Sequence, residues 1–342
     1  MGSGQLARER SSSERVRIDI AMMFRLYLRL ANPLAVGVLL LVLLAVYFGI
    51  SVPYFTACGV VNPLSPWDFG CLALASLCIT AGGYMINNYF DRQEDKVRHP
   101  QRVSVGRDVP RRTVIVLHHS LNLLASLLAL YVAVRAHRVS LFILYPLAAG
   151  VVWFYTTLYK YQLLMGSLLA LVFAFCLPMV PMMYTVSFAE LSLWQPIALE
   201  QLSMIPLVHY YLLYAGSFAG IVLLLHWVRE LAAFVQGRQL GRNSLASQFG
   251  LRKARIVVAL CYVVLAILSF WLSDHLAQKG LGGRFPYLCQ AYDVLLVIVP
   301  MGVSLIGLLT AEKVTHYRLA LRMLEVSFFA VVLFPLLRLL MA

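Results

Sequence analysis

Charged residues are scarce in this sequence, and their scarcity argues against most soluble folds. Only 13% of the 342 residues are Asp, Glu, Lys or Arg, whereas 61% are hydrophobic. A soluble domain normally carries about 25% charged residues. The composition therefore predicts a single domain whose main solvent is lipid.

Several patterns that mark soluble enzymes and metal sites are also missing. The chain has no P-loop, no H-E-x-x-H, no G-x-S-x-G and no C2H2 zinc pattern. Its six cysteines form no C-x-x-C pair, and most lie within apolar runs, so we interpret them as small apolar side chains. The dense Asp-Gly signature of CDP-alcohol transferases is absent, and no cleavable signal peptide is expected.

Long apolar runs are what the sequence has instead. Crossing a hydrocarbon core of roughly 30 Å takes about 20 apolar residues in a helix. The nine predicted spans are residues 29–51, 67–87, 113–134, 139–158, 164–186, 205–228, 254–273, 288–310 and 317–340. We predict an all-α, polytopic membrane helical bundle over residues 25–342, preceded by a disordered cytoplasmic tail over residues 1–24.

The basic residues are distributed unevenly between the two predicted faces. Most of the 28 Lys and Arg residues lie in the tail and in the loops after the second, fourth, sixth and eighth spans. The opposite face keeps Arg135, Arg138, Lys279, Arg284 and Arg338. This asymmetry predicts a cytoplasmic N-terminus, a C-terminus on the other side and, in a bacterium, an inner-membrane location. It also favours contact with membrane lipids over nucleic-acid binding.

The end of the second span carries the most distinctive polar pattern. Residues 87–95 read NNYFDRQED. If the helix continues through this segment, Asn87, Asp91 and Asp95 follow one another at every fourth position, and Asn88 precedes Asp91 by three. Carboxylates and carboxamides grouped in this way suit Mg²⁺. Spacing alone equally allows a solvated helix end whose carboxylates pair with neighbouring basic side chains.

Residues 87–95 resemble the first aspartate-rich motif, N-D-x-x-D-x-x-x-D, of the UbiA superfamily of intramembrane prenyltransferases. Further similarities follow in the family's order. Residues 99–106 resemble its N-x-P-x-R-P-I-x-x-G segment, and residues 155–167 are similar to its Y-S-x-x-x-K-R…G-N segment. Arg229 and Glu230 match the R-E before its second aspartate-rich motif. The resemblance covers about residues 25–340 and implies nine helices with the motif loops at the cytoplasmic face.

The resemblance also implies a reaction. A prenyl diphosphate would lie in an apolar tunnel, Mg²⁺ would hold its diphosphate, and a lipophilic or aromatic acceptor would attack the allylic cation. The implied catalytic residues are Asp91, Asp95 and Lys160, and the implied Mg²⁺ ligands are Asp91, Asp95 and Glu94. The implied substrate contacts are Asn87, Asn88, Arg102, Tyr155, Arg229, Arg238 and Arg242.

The sequence departs from the family pattern at several positions. Asn88 stands where the family has its first Asp, and Tyr161 stands where Arg is common. The carboxylates of the second motif fall on Gly237 and Gly241, and residues 231–248 contain no Asp or Glu. A second metal site on this loop is therefore not expected.

Two interpretations follow from these departures. In the first, one Mg²⁺ binds at Asp91 and Asp95, and Arg238 and Arg242 contact the phosphates directly. In the second, the chain has lost catalysis and acts as a lipid-binding or scaffolding membrane protein. A transporter is less favoured, because no inverted repeat is visible.

A few polar residues within the spans have simpler interpretations. Four histidines are expected to make hydrogen bonds between helices rather than bind metal: His118, His119, His209 and His226. Glu325 is predicted either to pair with Arg322, one turn earlier, or to lie in the cavity, because an isolated carboxylate within a span is costly; pairing is favoured.

Overall fold

The computed structural model describes residues 26–93, 96, 105–192, 204–237, 243–278 and 286–337. Within these residues the regular structure is helical, apart from one isolated bridge between Val105 and Val109. The helices are α1 Pro33–Ala57, α2 Pro66–Phe90, α3 Arg111–Arg135, α4 Val139–Thr157, α5 Leu163–Ser192, α6 Ile205–Val235, α7 Leu245–Phe249, α8 Leu251–Gln278, α9 Tyr287–Leu309 and α10 Val314–Leu333. The predicted all-α class is confirmed.

Within the described ranges, nine of these helices are long and apolar enough to cross a membrane, and α7 is the exception. Each overlaps one predicted span, so the number of spans is confirmed. The largest extension beyond a predicted end is at α6, which continues to Val235 rather than ending near residue 228. Apolar residues resume after the charged pair Arg229–Glu230, and they allow the helix to continue past it. The division into a tail over residues 1–24 and a domain over residues 25–342 stays a prediction.

Two large buried clusters hold the bundle together. One cluster contains residues of each helix from α1 through α5, including Leu72 and Tyr145. The other contains residues of α1, α5 and α6 and of the helices from α8 through α10. Several buried hydroxyls within them have partners: Tyr145 donates to the Leu72 carbonyl at 3.2 Å, and Tyr262 lies 2.6 Å from Ser304 Oγ. Because an unpaired buried hydroxyl costs free energy, these bonds permit polar side chains in an apolar core.

Side-chain contacts connect the helix ends on each side of the bundle. We call "site face" the side that contains the ends of α2, α4, α6 and α9, and "far face" the opposite side. At the site face, Arg255 near the start of α8 donates to the Ala311 carbonyl in the turn between α9 and α10, at 2.5 Å. At the far face, Arg135 at the end of α3 pairs with the buried Asp68 at the start of α2, at 2.7 Å.

His118 confirms the expectation of hydrogen bonds between helices. Its ring is buried on α3 and lies 2.9 Å, at Nδ1, from the Gly82 carbonyl of α2. Asn122 Nδ2 lies 3.0 Å from the other ring nitrogen, which fits a tautomer with the proton on Nδ1. The six cysteines are free thiols: Cys71, Cys78 and Cys289 are buried, Cys261 is partly buried, and Cys58 and Cys176 are exposed.

Candidate functional site

The last turn of α2 places the first site residues. The Asp91 amide donates to the Asn87 carbonyl at 2.8 Å, so helical hydrogen bonding continues to Asp91. One turn apart on the same side, Asn87 Nδ2 donates to Asp91 Oδ2 at 2.7 Å. The predicted clustering of Asn87 with Asp91 is therefore present. Glu94 and Asp95 lie outside the described residues.

Lys160 contacts the same carboxylate from a distant part of the chain. It lies in the short turn Tyr159–Tyr161 between α4 and α5, and its ammonium donates to Asp91 Oδ1. The pair is enclosed, since the Lys160 side chain is 5% exposed and that of Asp91 is 13% exposed. The Lys160 ammonium also lies 5.0 Å from the ring centre of Tyr161. Both oxygens of Asp91 are thus engaged by nitrogen donors.

Asn88 points away from this pair. Its side-chain nitrogen donates to the Leu30 carbonyl at 2.9 Å, which ties α2 to the segment before α1. A small apolar cluster that includes Leu30, Met85 and Val114 lies alongside this contact. Here the side chain anchors the end of α2 and does not face Asp91.

A tight turn before α3 brings two further arginines to the site. The Gly106 amide donates to the Val109 carbonyl at 2.7 Å, and Gly106 has a φ of +80°. A Cβ at Gly106 would lie 3.2 Å from Arg92 Nη1 and 3.5 Å from Arg111 Nε. The missing side chain therefore lets two guanidinium groups approach one point at the site face.

Sequence reasoning did not assign Arg92 or Arg111 to the site. The usable signal was Gly106, which matches the glycine of the family's second segment. The same turn contains Arg107, which donates two hydrogen bonds of 2.9 Å to Asp108. These bonds lower the pKa of Asp108, so its carboxylate stays charged and balances Arg107.

Aromatic side chains border the site on α4. Tyr155 is partly buried there, and the Trp153 ring meets Phe90 of α2 edge-on at a centroid distance of 5.5 Å. The ring faces of such side chains can stabilise a cation. Tyr155 lies on α4, which contacts the end of α2 through Trp153, and its assignment as a substrate contact stays a prediction.

Arg229 lies on α6 and is engaged with a carboxylate. Its Nη2 is 3.3 Å from Glu325 Oε1 on α10. Glu325 thus pairs with Arg229, and the expected pairing with Arg322 is wrong. The packing of α6 on α10 outweighs the local helical spacing. Three other predicted phosphate contacts lie outside the described residues: Arg102, Arg238 and Arg242.

The donor set is compatible with Mg²⁺ in chemistry. Asp91 provides a carboxylate, and the Asn87 carboxamide oxygen lies beside it because its nitrogen bonds to Asp91. Hard oxygen donors of this kind are the ligands Mg²⁺ prefers. Within the described part of the chain, no three His, Cys, Asp or Glu side chains group closely enough to hold a metal ion. Asp91 is therefore the single described carboxylate of the predicted metal site.

Solved structures show a similar arrangement of helices. A structure from work on digeranylgeranylglyceryl phosphate synthase in membranes has a TM-score of 0.62 and 16% identity, covering 92% of this chain and 97% of that one. A UbiA homologue from Aeropyrum pernix K1 has a TM-score of 0.56 and 16% identity, covering 86% and 97%. A UbiA homologue from Archaeoglobus fulgidus bound to DMAPP and Mg²⁺ has a TM-score of 0.52 and 14% identity, covering 89% and 98%. At these identities the likeness concerns the fold.

A family model identifies the family more specifically. The model of the UbiA prenyltransferase family matches residues 43–283, so this chain belongs to the UbiA prenyltransferase family. It is a multi-pass integral membrane protein. No curated protein matches the chain at a significant level.

Proposed function

We propose that this protein transfers a prenyl group from a prenyl diphosphate to an acceptor at the site face of the bundle. The observation that carries the proposal is the enclosed contact of Asp91 with Lys160 and Asn87 at the end of α2. These residues match family motifs that are far apart in the sequence. Their convergence at one end of the bundle supports a common site.

The proposed site binds one Mg²⁺. Asp91 and the Asn87 carboxamide oxygen would hold it, and Asp95 and Glu94 are further proposed ligands. Bound there, Mg²⁺ would neutralise negative charge as it grows on the departing diphosphate.

The basic residues of the chain bind the diphosphate. Arg92 and Arg111 lie beside Gly106 and offer two guanidinium forks, which suit phosphate oxygens. Lys160 exchanges its contact with Asp91 for a phosphate oxygen when the substrate enters. Arg102, Arg238 and Arg242 are proposed to add contacts from their loops, in place of the second aspartate-rich motif.

The bundle supplies the remaining parts of the proposed site. The prenyl chain lies between the helices, in apolar surroundings where water cannot capture the allylic cation. Tyr155 is proposed to face this cation with its ring. The charge asymmetry of the sequence supports a cytoplasmic site face and N-terminus, with the C-terminus on the opposite side.

A direct test uses the purified protein with labelled prenyl diphosphates, with and without Mg²⁺. We expect release of diphosphate that depends on Mg²⁺ and falls by at least 100-fold in Asp91→Ala. Asp108→Ala is a suitable control, because Asp108 is a nearby exposed carboxylate with its own partner, Arg107. If no prenyl diphosphate of any chain length yields diphosphate, the transferase proposal is wrong.

A lipid-binding or scaffolding role is the second candidate. It is favoured by the engagement of both Asp91 oxygens and by the glycines at the positions of the second motif. Binding of a prenyl diphosphate without turnover, unchanged by Asp91→Ala, would support this role instead. Such a result would assign anion binding to the arginines.

A further inference from the structure

A second group of polar side chains lies on α6, α10 and α2, beyond Asp91 and Lys160. On α6, His226 Nε2 is 3.4 Å from Glu230 Oε1, and Arg229 between them pairs with Glu325 of α10 at 3.3 Å. The Tyr84 hydroxyl on α2 lies within electrostatic range of the Arg229 guanidinium. We call these five residues the inner polar cluster.

The inner polar cluster lies at membrane depth. At 1.5 Å per residue, Glu325 is ~16 Å along α10 from its start at the site face, and Tyr84 is ~10 Å deeper than Asp91 along α2. Charged groups facing lipid at such depth are expensive. Nevertheless the Arg229 side chain is 58% exposed and that of Glu325 is 46% exposed. A water-accessible space between the helices therefore follows from the general behaviour of charged side chains within spans, which face the bundle interior or a water-filled cavity.

Two connections link this space to the residues proposed to bind the prenyl donor. Tyr84 and Asp91 lie on the same helix, α2. On the α6 side, Trp227 Nε1 donates to the buried Ser167 Oγ at 2.9 Å. Ser167 follows Gly166, whose backbone lies so close to the Lys160 turn that a Cβ there would be 3.2 Å from the Tyr159 carbonyl. The cluster therefore lies next to the proposed diphosphate site, on its membrane side.

We propose that the inner polar cluster is the acceptor site, and that His226, supported by Glu230, takes the proton that the acceptor loses. This inference rests on the proposed transferase function. It also specifies the acceptor class. Among the described residues, the cluster sets two carboxylates against one guanidinium, and Arg229 is already engaged with Glu325. It therefore suits an uncharged hydroxyl compound, whose O–H can donate to a carboxylate or imidazole, better than an acceptor carrying a carboxylate or phosphate.

The proposed step conserves atoms and charge. The bond between the allylic carbon and the diphosphate oxygen breaks, and its electron pair leaves with the diphosphate. A lone pair of the acceptor hydroxyl then forms the new carbon–oxygen bond. The hydroxyl proton passes to the His226 imidazole, and the Glu230 carboxylate stabilises the resulting imidazolium. The products are a prenyl ether and diphosphate.

The acceptor class is tested with a matched pair of compounds, a 1-O-alkylglycerol and the same compound phosphorylated. With a labelled prenyl diphosphate and Mg²⁺, we expect the neutral alkylglycerol to be prenylated at least 10-fold more efficiently than its phosphate. A preference for the phosphorylated compound would overturn the inference. Absence of diphosphate release from every prenyl donor would overturn the transferase proposal itself, and this inference with it.

The role of His226 is tested by the fate of the allylic cation. In His226→Gln we expect transfer to the alkylglycerol to fall by ~10²–10⁴-fold, the usual contribution of general-base catalysis. Diphosphate release should stay within about threefold, with prenyl alcohol from capture by water replacing the ether. Glu230→Gln should shift the products in the same direction by a smaller factor.

The matched control is His209→Gln on the same helix. His209 lies at the other end of α6, where its ring is 6.3 Å from that of His275. This variant should keep the wild-type ratio of ether to alcohol. If His226→Gln keeps that ratio, or if both products fall together in His226→Gln and Glu230→Gln, His226 is not the proton acceptor.

Discussion

The contact of Lys160 with Asp91 predicts a large energetic coupling between two residues that are distant in sequence. Removing one partner of a buried ion pair costs about 3–5 kcal/mol, because the remaining charge loses its compensation in a medium of low dielectric. With side-chain exposures of 5% and 13%, this pair belongs to the buried class. We therefore expect Lys160→Met to reduce the free energy of unfolding by ~3 kcal/mol. This value is at the low end of the range for buried ion pairs, because the Asn87 amide still donates a hydrogen bond to Asp91.

The double variant separates this effect from loss of packing. Asp91→Asn alone leaves an enclosed ammonium without its carboxylate, at a cost of about 3–4 kcal/mol. Asp91→Asn combined with Lys160→Met removes both charges, and we expect a cost of only ~1–2 kcal/mol. The coupling energy should then exceed ~3 kcal/mol. Arg107 and Asp108, with side chains 57% and 29% exposed, form the comparison pair, for which coupling below about 1 kcal/mol is expected.

The assay is reversible denaturant unfolding in a mild detergent, followed by helical circular dichroism. Single and double variants of each pair complete two thermodynamic cycles. If the effects at Lys160 and Asp91 add within about 0.5 kcal/mol, the pair is not an enclosed contact and the reasoning fails.

A second measurement uses Mg²⁺ without substrate. The Lys160 ammonium occupies Asp91 Oδ1, so it should compete with the cation. We therefore expect millimolar Mg²⁺ to raise the Tm of Lys160→Met more than that of the wild type. Addition of inorganic pyrophosphate should reverse this order, because Lys160 then has a phosphate to bind. Equal Mg²⁺ shifts in the two proteins would show that the ion does not use this oxygen.

Three other predictions concern neighbouring parts of the structure. Gly106→Ala should reduce the free energy of unfolding by ~1–2 kcal/mol because of the positive φ, and it should weaken pyrophosphate binding by displacing Arg92. Gly59 has a φ of +70° and open space around it, so Gly59→Ala should show the backbone cost alone. Trp227→Phe should cost ~1 kcal/mol through the lost hydrogen bond, measured by unfolding. In intact cells an impermeant maleimide should label the exposed Cys58 at the far face, whereas Asp108→Cys should react only after permeabilisation; the reverse pattern would invert the orientation.

The spans were predictable from the sequence for a simple reason. In lipid the backbone must satisfy its own hydrogen bonds, so a long apolar run has one stable conformation. The same reasoning explains the contact of Asn87 with Asp91, since a helix brings residues four apart onto one side. The polar pair Arg229 and Glu230 interrupts the apolar pattern, so a prediction from composition alone places the end of α6 too early.

Contacts between distant segments could not be derived in this way. No spacing rule connects Lys160 to Asp91, and only the family resemblance suggested that they share a site. The pairing of Glu325 with Arg229 was missed because local spacing offered Arg322 as a nearer partner. The two arginines beside Gly106 depend on a positive φ in a five-residue turn, which hydrophobic periodicity does not register.

The described side chains of the two polar layers differ in charge, and that order has a consequence for the proposed reaction. Arg92 and Arg111 lie at the site face, and Asp91 and Lys160 compensate each other on the same face. The inner polar cluster, ~10 Å deeper, sets two carboxylates against one guanidinium. If the bond between the allylic carbon and the diphosphate breaks between the layers, the diphosphate anion would be attracted to the arginines and the allylic cation to the carboxylates. The fixed charges would then stabilise the separation of diphosphate and allylic cation during ionisation. This stabilisation would partly replace the one that the missing second aspartate-rich motif would provide.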